Sequence, residues 1–198
     1  MIIVDTETTG INHLKSSIVS IGAVEFFNPN NQFYQECRIF DGAEVTEEAL
    51  QVNGFTREQI TDPSKKSLEE ITHMFFSWVH SCANFTFAGE NPTFDRNFLN
   101  AAAERYGISL GLGHRSIDLH TLAYSHHLKR KLVPPSRNGR TDLNTDKILV
   151  YVGLPEEPKP HHALTGAKME AEAFSRLIHR KILFQEFERY PIPDYLLF

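Results

Sequence analysis

The first 40 residues carry the hydrophobic pattern of β-strands. Residues 2–5 form a short apolar run, and residues 17–27 form a longer β-branched and aromatic run that ends in the turn 28–31. Residues 32–40 then alternate between apolar and polar side chains with a period near two, which is typical of a strand. The pattern therefore predicts a meander of three strands.

Beyond residue 45 the hydrophobic period becomes helical. A short helix is expected to begin at Thr46, and Ser67 and Glu70 have the spacing of a capping box ahead of a longer helix. Short strands are predicted at 84–88 and 115–118, and further helices at 93–106, 119–129, 142–152 and 163–182. Strands followed by alternating strands and helices predict an α/β fold, in which helices flank a mixed β-sheet.

No linker interrupts this pattern, and residues 134–139 read as an exposed loop, so residues 1–198 are expected to form a single domain. The chain is 41% hydrophobic and 23% charged, which is ordinary for a globular protein and enough for a core without disulfide or metal staples. Cys37 and Cys82 match no metal-binding spacing, and no leader pattern precedes the first strand, so a cytoplasmic location is expected.

Hydropathy and charge argue against two classes of partner. No apolar run approaches the roughly 20 residues that cross a membrane. A net charge of −5 argues against a protein that coats duplex nucleic acid, which needs many Lys and Arg contacts to phosphate. An enzyme that contacts nucleic acid through bound cations remains compatible with this charge.

Two acidic residues stand at the end of the first apolar run, in the sequence Asp5-Thr6-Glu7-Thr8-Thr9-Gly10. Residues two apart on a strand point to the same face, so both carboxylates are expected to leave the sheet together. Carboxylates held this close repel each other unless a cation or a proton lies between them. A solvated strand end is the alternative interpretation of a bare Asp-x-Glu pair.

Two later residues are candidates for the same chemistry. Asp95 lies in the first turn of a predicted helix, for which Asn91 is the expected cap and Pro92 the first residue. Asp95 shares a face with the apolar side of that helix, so burial is expected in addition to any role at the helix dipole. His161 precedes the last long helix and is either a surface histidine or a general base, because its pKa lies near neutrality.

These segments together resemble the DEDDh-type 3′→5′ exonucleases of the ribonuclease H-like superfamily, which include bacterial proofreading subunits and RNase T. The similarity spans roughly residues 1 to 178. The matching motifs are Asp5-Thr6-Glu7, Asn91 to Asp95, and His161-x-Ala163, with further matches at Gly22-Ala23-Val24, Asn53-Gly54-Phe55-Thr56 and Ile117-Asp118-Leu119. The family's third motif ends in an aspartate that binds metal, and Gly166 stands at that place here.

The resemblance implies a ribonuclease H-like fold and hydrolysis of phosphodiester bonds at the 3′ end of single-stranded DNA or RNA, with release of nucleoside monophosphates. It implies that Asp5, Glu7 and Asp95 hold two divalent cations, Mg²⁺ or Mn²⁺, and that His161 deprotonates the attacking water. Thr8, Thr9 and Gly10 are expected to contact the terminal nucleotide through backbone amides. A homodimer and a polymerase or other replication or repair partner stay open.

Gly166 leaves the fourth metal ligand in question. Glu170 lies one turn further along the predicted helix, at the margin of its apolar stripe. Because helical side chains tilt toward the N-terminus, Glu170 is predicted to swing back and replace the missing aspartate as a metal ligand. The alternative is a glutamate at the edge of the core that reaches solvent, with a water molecule in place of the missing ligand.

Two functions therefore stay open from the sequence. The first is an active exonuclease, and the second is a catalytically impaired module that binds nucleic acid or a protein partner. Retention of both acidic motifs and of His161 favours the enzyme, whereas the His126-His127 and His161-His162 pairs do not favour a zinc hydrolase, because adjacent histidines cannot easily chelate one ion. Residues 126–147 hold six Lys or Arg and two Asp. These basic residues either contact the phosphates of a single strand or form a solvated loop and helix face.

Overall fold

The structure is a computed structural model that describes residues 1–109 and 111–197. Its strands are β1 (Ile2–Thr8), β2 (Ile18–Glu25), β3 (Gln32–Glu36), β4 (Phe87–Gly89), β5 (Ser116–Asp118), β6 (Ser136–Arg137) and β7 (Arg140–Thr141). Its helices are α1 (Glu47–Asn53), α2 (Arg57–Thr61), α3 (Leu68–Ser81), α4 (Thr93–Arg105), α5 (Leu119–Lys129), α6 (Thr145–Tyr151), α7 (Ala163–His179) and α8 (Asp194–Leu197), with one turn of 3-10 helix at Gln185–Phe187. None of the helices described is both long and apolar enough to cross a membrane.

Five strands form one mixed sheet in the order β3-β2-β1-β4-β5. The first three strands are the predicted antiparallel meander, and β4 and β5 run parallel to β1. The carboxyl ends of β1, β4 and β5 therefore meet at one edge of the sheet. Helices α3 and α4 cover one face and α7 covers the other, which confirms the predicted α/β fold.

The caps explain most of the helix boundaries. The predicted capping box at Ser67 and Glu70 is present at the start of α3. Helix α6 begins later than expected because the Asn144 side chain accepts a hydrogen bond from the amide of Lys147 at 3.1 Å. Helix α7 ends before residue 182, because Arg180 adopts a left-handed backbone with φ of 57°.

Several local predictions were wrong. Asn91 does not cap α4, because its backbone is left-handed, with φ of 48°, and Pro92 is the cap residue without a side-chain hydrogen bond. The third strand ends at Glu36, strand β6 lies within the segment 134–139 that was expected to be a loop, and helix α2 was not predicted. These elements are too short for a hydrophobic period to identify them. Cys37 and Cys82 are buried free thiols, as expected.

Gly22 of β2 is paired with Asp5 of β1 in the sheet. Because it has no side chain, Gly22 lets α7 approach the sheet closely beside Asp5. A Cβ atom at Gly22 would lie 2.2 Å from the carbonyl carbon of Ala163 and 2.2 Å from the amide nitrogen of Leu164. Both neighbours are backbone atoms, which cannot rotate away. The first turn of α7 therefore rests directly on β2, next to the acidic end of β1.

We expect Gly22→Ala to destabilise the fold by about 3 kcal/mol, because the added methyl forces α7 off the sheet. Urea unfolding followed by circular dichroism measures this loss. Gly113→Ala is the matched control, since a Cβ atom there meets nothing within 4 Å. Equal unfolding midpoints for the two variants would contradict the proposed close packing.

Candidate active site

The carboxyl end of β1 presents Asp5 and Glu7 to the face covered by α7. Asp5 is partly buried and Glu7 is 7% exposed. The register between β1 and β2 shifts between Glu7 and Thr8, so an irregularity turns the strand at the point where the acidic residues leave the sheet. The expectation that the two carboxylates project from one face is confirmed.

Asp95 joins these residues from the other side of the sheet. Its carboxylate Oδ1 accepts two hydrogen bonds from Thr6, one from the amide at 2.9 Å and one from the hydroxyl at 2.7 Å. Thr6 lies between Asp5 and Glu7, so it ties the first turn of α4 to the middle of the acidic motif. Asp95 is 5% exposed, in agreement with its predicted place at the end of the buried stripe.

Glu170 is buried in the site and does not reach solvent. Its Oε2 atom accepts a hydrogen bond at 3.0 Å from the amide of Glu90, the residue after β4. Its pKa lies well above the usual range because it is buried and because Asp5 and Asp95 are near. The space beside Gly166, however, holds Asp5 and Glu157: a Cβ atom at 166 would lie 2.0 Å from Asp5 Oδ2 and 3.2 Å from Glu157 Oε1.

His161 lies at the mouth of the same cluster. Its amide donates a hydrogen bond to the carbonyl of Val52 at 2.9 Å, and its ring Nδ1 is 3.5 Å from Glu157 Oε2. Burial lowers the pKa of His161, so the imidazole is mainly neutral at neutral pH. His162 points elsewhere: its ring caps α7 and stacks on Tyr34 at 4.3 Å between ring centroids.

Two acidic residues that sequence reasoning did not select, Glu157 and Glu90, also belong to the cluster. Glu157 lies in the proline-rich segment before α7, and one oxygen of its carboxylate is within 4.8 Å of ligand atoms of both Glu7 and His161. Glu90 directly follows β4, and its charge raises the pKa of Asp5. Glu90 could have been predicted from the sequence, because it directly follows a strand that runs parallel to β1. No periodic pattern in the sequence marks Glu157.

The carboxylates hold protons more tightly than isolated acids do. Burial raises the pKa of Asp5 to about 7. Burial together with the charges of Asp5, Glu157 and Asp95 raises the pKa of Glu7 to about 9. For Glu157, burial and the charge of Asp5 give a pKa of about 8, and the pKa of Asp95 is also raised well above its usual range by burial and by Asp5.

No Lys or Arg in the described part of the chain forms an ion pair with Asp5, Glu7, Asp95 or Glu170. Buried carboxylates that lack cationic partners need protons or a bound cation to coexist. Their hard oxygen atoms suit Mg²⁺ and similar divalent ions. The donor set therefore fits divalent metal ions.

The expected nucleotide contacts of the segment after Glu7 need correction. The amide of Thr9 donates to the carbonyl of Ser17 at 2.9 Å, and the Thr9 hydroxyl donates to the carbonyl of Glu44 at 2.6 Å. Thr9 is fully buried, so its amide is not available to a nucleotide. Contacts from Thr8 and Gly10 stay predictions.

Two clefts border the acidic cluster. One has a volume of about 440 Å³ and is lined by Glu90, Asn91, Asp118, His120 and residues 141–144. The other, of about 240 Å³, lies against His161 and includes Tyr34 and His162. Both open next to residues of the site.

The sequence of the chain is similar to known exoribonucleases. The model of the 3′-5′ exoribonuclease Rv2179c-like domain family matches residues 1–178. Ribonuclease T of Klebsiella pneumoniae subsp. pneumoniae is 25% identical over 195 residues, which cover 90% of this chain and 84% of that protein. Ribonuclease T of Marinobacter nauticus is 30% identical over 136 residues, or 62% of each chain.

The fold is that of solved exonuclease structures. The nuclease domain of 3′hExo, a DEDDh family member bound to rAMP, superimposes with a TM-score of 0.67 at 14% identity and covers 93% of this chain and 94% of that one. E. coli Exonuclease I in complex with a dT13 oligonucleotide gives a TM-score of 0.70 at 14% identity, over 88% of this chain and 40% of that one. Exonucleases of the DEDDh type generally use divalent metal ions. Motifs, fold and family match agree, and the chain belongs to the 3′-5′ exoribonuclease Rv2179c-like family of DEDDh-type 3′-5′ exonucleases.

Proposed function

We propose that this protein shortens single-stranded nucleic acid from its 3′ end and releases nucleoside monophosphates, with Mg²⁺ or Mn²⁺ held by Asp5, Glu7, Asp95 and Glu170. The observation that carries the proposal is the meeting of buried carboxylates from β1, α4 and α7 without a Lys or Arg partner among the described residues. Two divalent cations bound there would lower the pKa of a water molecule and stabilise the oxygen that leaves phosphorus.

The protein groups have distinct tasks in this reaction. His161 is mainly neutral near pH 7 and partly exposed at the edge of the cluster, so it can accept the proton of the attacking water. Thr6 fixes one oxygen of Asp95 through two hydrogen bonds. The amide of Glu90 fixes one oxygen of Glu170, so the ligands on α4 and α7 are held in place before any ion binds.

The impaired-module alternative has less support. Burying carboxylates without cationic partners costs stability. A module that only binds nucleic acid does not require such a cluster of carboxylates. The glycine at 166 also leaves no gap in the acidic cluster, because the carboxylates of Asp5 and Glu157 fill the space beside it. Membership of a family of exoribonuclease domains favours RNA over DNA as the substrate.

A nucleic acid strand can reach the cluster through either bordering cleft. The cleft of about 440 Å³ is within the size range of pockets for small ligands. The segment 126–147 lines part of it, although Arg137 and Lys147 both pair with Asp142 and so offer less charge to a phosphate than the sequence indicated. Phosphate contact by the remaining basic residues stays a prediction.

A cleavage assay tests the proposal. We expect a 5′-labelled single-stranded RNA to shorten stepwise in Mn²⁺ or Mg²⁺, faster than DNA of the same sequence, and to stay intact in EDTA. A circular single-stranded RNA is the control, because it has no 3′ end and should not be cut. Cutting of the circle, or tight binding of the linear RNA without shortening, would contradict the proposal.

The remaining expectations about cellular context stay predictions. Two buried free cysteines support the cytoplasmic location, since such thiols are usual in a reducing compartment. The homodimer, the polymerase or repair partner and the single domain over 1–198 likewise stay predictions.

A further inference from the structure

The carboxylate of Glu157 lies beside Gly166, where the backbone of α7 carries no side chain. The resemblance to the DEDDh-type exonucleases implies an aspartate where this chain has Gly166. A Cβ atom there would lie 2.0 Å from Asp5 Oδ2 and 3.2 Å from Glu157 Oε1. An aspartate at 166 would therefore compete for the space that these two carboxylates already use.

Glu157 has a buried carboxylate oxygen without a partner. The residue is 8% exposed, and its Oε1 atom, which is closed off from solvent, accepts no hydrogen bond from any described residue. A buried acceptor in this state costs free energy unless a ligand binds it. One oxygen of Glu157 is within 4.8 Å of a carboxylate oxygen of Glu7 and of a ring nitrogen of His161, which is close enough for one ion to contact several of these groups.

The segment that carries Glu157 is anchored at both ends. Its own amide donates to Asp146 Oδ1 at 3.1 Å, and the amide of His161 donates to the carbonyl of Val52 at 2.9 Å. Pro160 packs on Gly54, where a Cβ atom would lie only 2.6 Å from the Pro160 ring. These contacts fix the backbone on both sides of Glu157.

We propose that Glu157 is a metal ligand and supplies the carboxylate that the family's third motif provides from α7. It binds, together with Glu7, one of the divalent ions of the site. This inference rests on the proposed function, because it assumes that the acidic cluster binds divalent ions. It goes further in adding to Asp5, Glu7, Asp95 and Glu170 a ligand from the proline-rich segment before α7.

Calorimetric titration of the full chain with MnCl₂ tests the inference. We expect Glu157→Gln to weaken Mn²⁺ binding by at least about tenfold, as loss of a direct carboxylate ligand should. Glu156→Gln is the matched control, since Glu156 is the exposed neighbour and its loss should change nothing. Asp5→Asn is expected to weaken binding as well, because Asp5 belongs to the proposed site.

The outcomes separate the two proposals. If Glu157→Gln binds Mn²⁺ like the unmodified chain while Asp5→Asn does not, Glu157 is not a ligand and the proposed function stands. If Asp5→Asn also binds normally, both proposals fail. Anomalous scattering from Mn²⁺-soaked crystals of the unmodified chain needs no variant to fold: an ion within about 2.5 Å of the Glu157 carboxylate supports the inference, and bound ions at the site but none at Glu157 overturn it.

Discussion

Asp95→Asn is expected to lower the rate of 3′-end cleavage by about 10³-fold or more, since it removes a charged ligand from the metal site. Asparagine keeps a carbonyl oxygen where Asp95 Oδ1 accepts the two hydrogen bonds from Thr6, so the local fold should persist. Rates of shortening of a 5′-labelled RNA in saturating Mn²⁺ measure the effect.

Asp41→Asn provides the control for Asp95→Asn, because Asp41 is exposed and lies outside the cluster. We expect its cleavage rate to equal that of the unmodified chain. In EDTA, Asp95→Asn should melt at a higher temperature than the unmodified chain, because it removes one buried carboxylate that lacks a cationic partner. Full activity of Asp95→Asn would exclude Asp95 from the reaction, whatever its melting temperature.

The stability of the metal-free protein should fall strongly as pH rises from about 5 to 9. Asp5, Glu7 and Glu157 have pKa values raised to about 7, about 9 and about 8 in the folded state. The unfolded chain gives up these protons near pH 4, so the folded state binds more protons across this range. Their contribution is fully present below the unfolded pKa values and is lost as pH rises through the folded ones, by about 1.4 kcal/mol per group and pH unit.

Divalent ions should reverse this loss, because they bind the ionised folded site and not the unfolded chain. At pH 8, Mg²⁺ at a hundred times its dissociation constant adds about 2.7 kcal/mol of stability. Urea unfolding across pH 5 to 9, in EDTA and in Mg²⁺, measures both effects. The idea of a proton- or cation-dependent acidic cluster is refuted if the EDTA curve is flat or rises over this range.

Much of the site could be predicted because its residues lie in regular elements. The period of two in β1 places Asp5 and Glu7 on one face, and the structure confirms this. The apolar stripe of α4 predicted that Asp95 would be buried at its end. In both cases a local repeat determines the direction of the side chain, so no knowledge of distant residues was needed.

Predictions failed where a contact between distant segments decided the outcome. The amide of Thr9 was expected to be available to substrate, but it bonds Ser17 across a bulged strand pair. Glu170 accepts a hydrogen bond from the amide of Glu90, a contact the sequence did not indicate, and its role as a metal ligand stays a prediction. Neither partner can be inferred from the local pattern around the residue.

The order of residues along this chain was enough to determine the meander, most of the helices and the acidic motif at the end of β1, because each depends on neighbours a few positions apart. Only the tertiary structure decided which carboxylates meet. Gly22 lets α7 rest on β2, and the absence of a side chain at Gly166 leaves room for the carboxylates of Asp5 and Glu157 beside this helix. A glutamate in a segment without periodic structure has no direction until such a long-range contact sets its position.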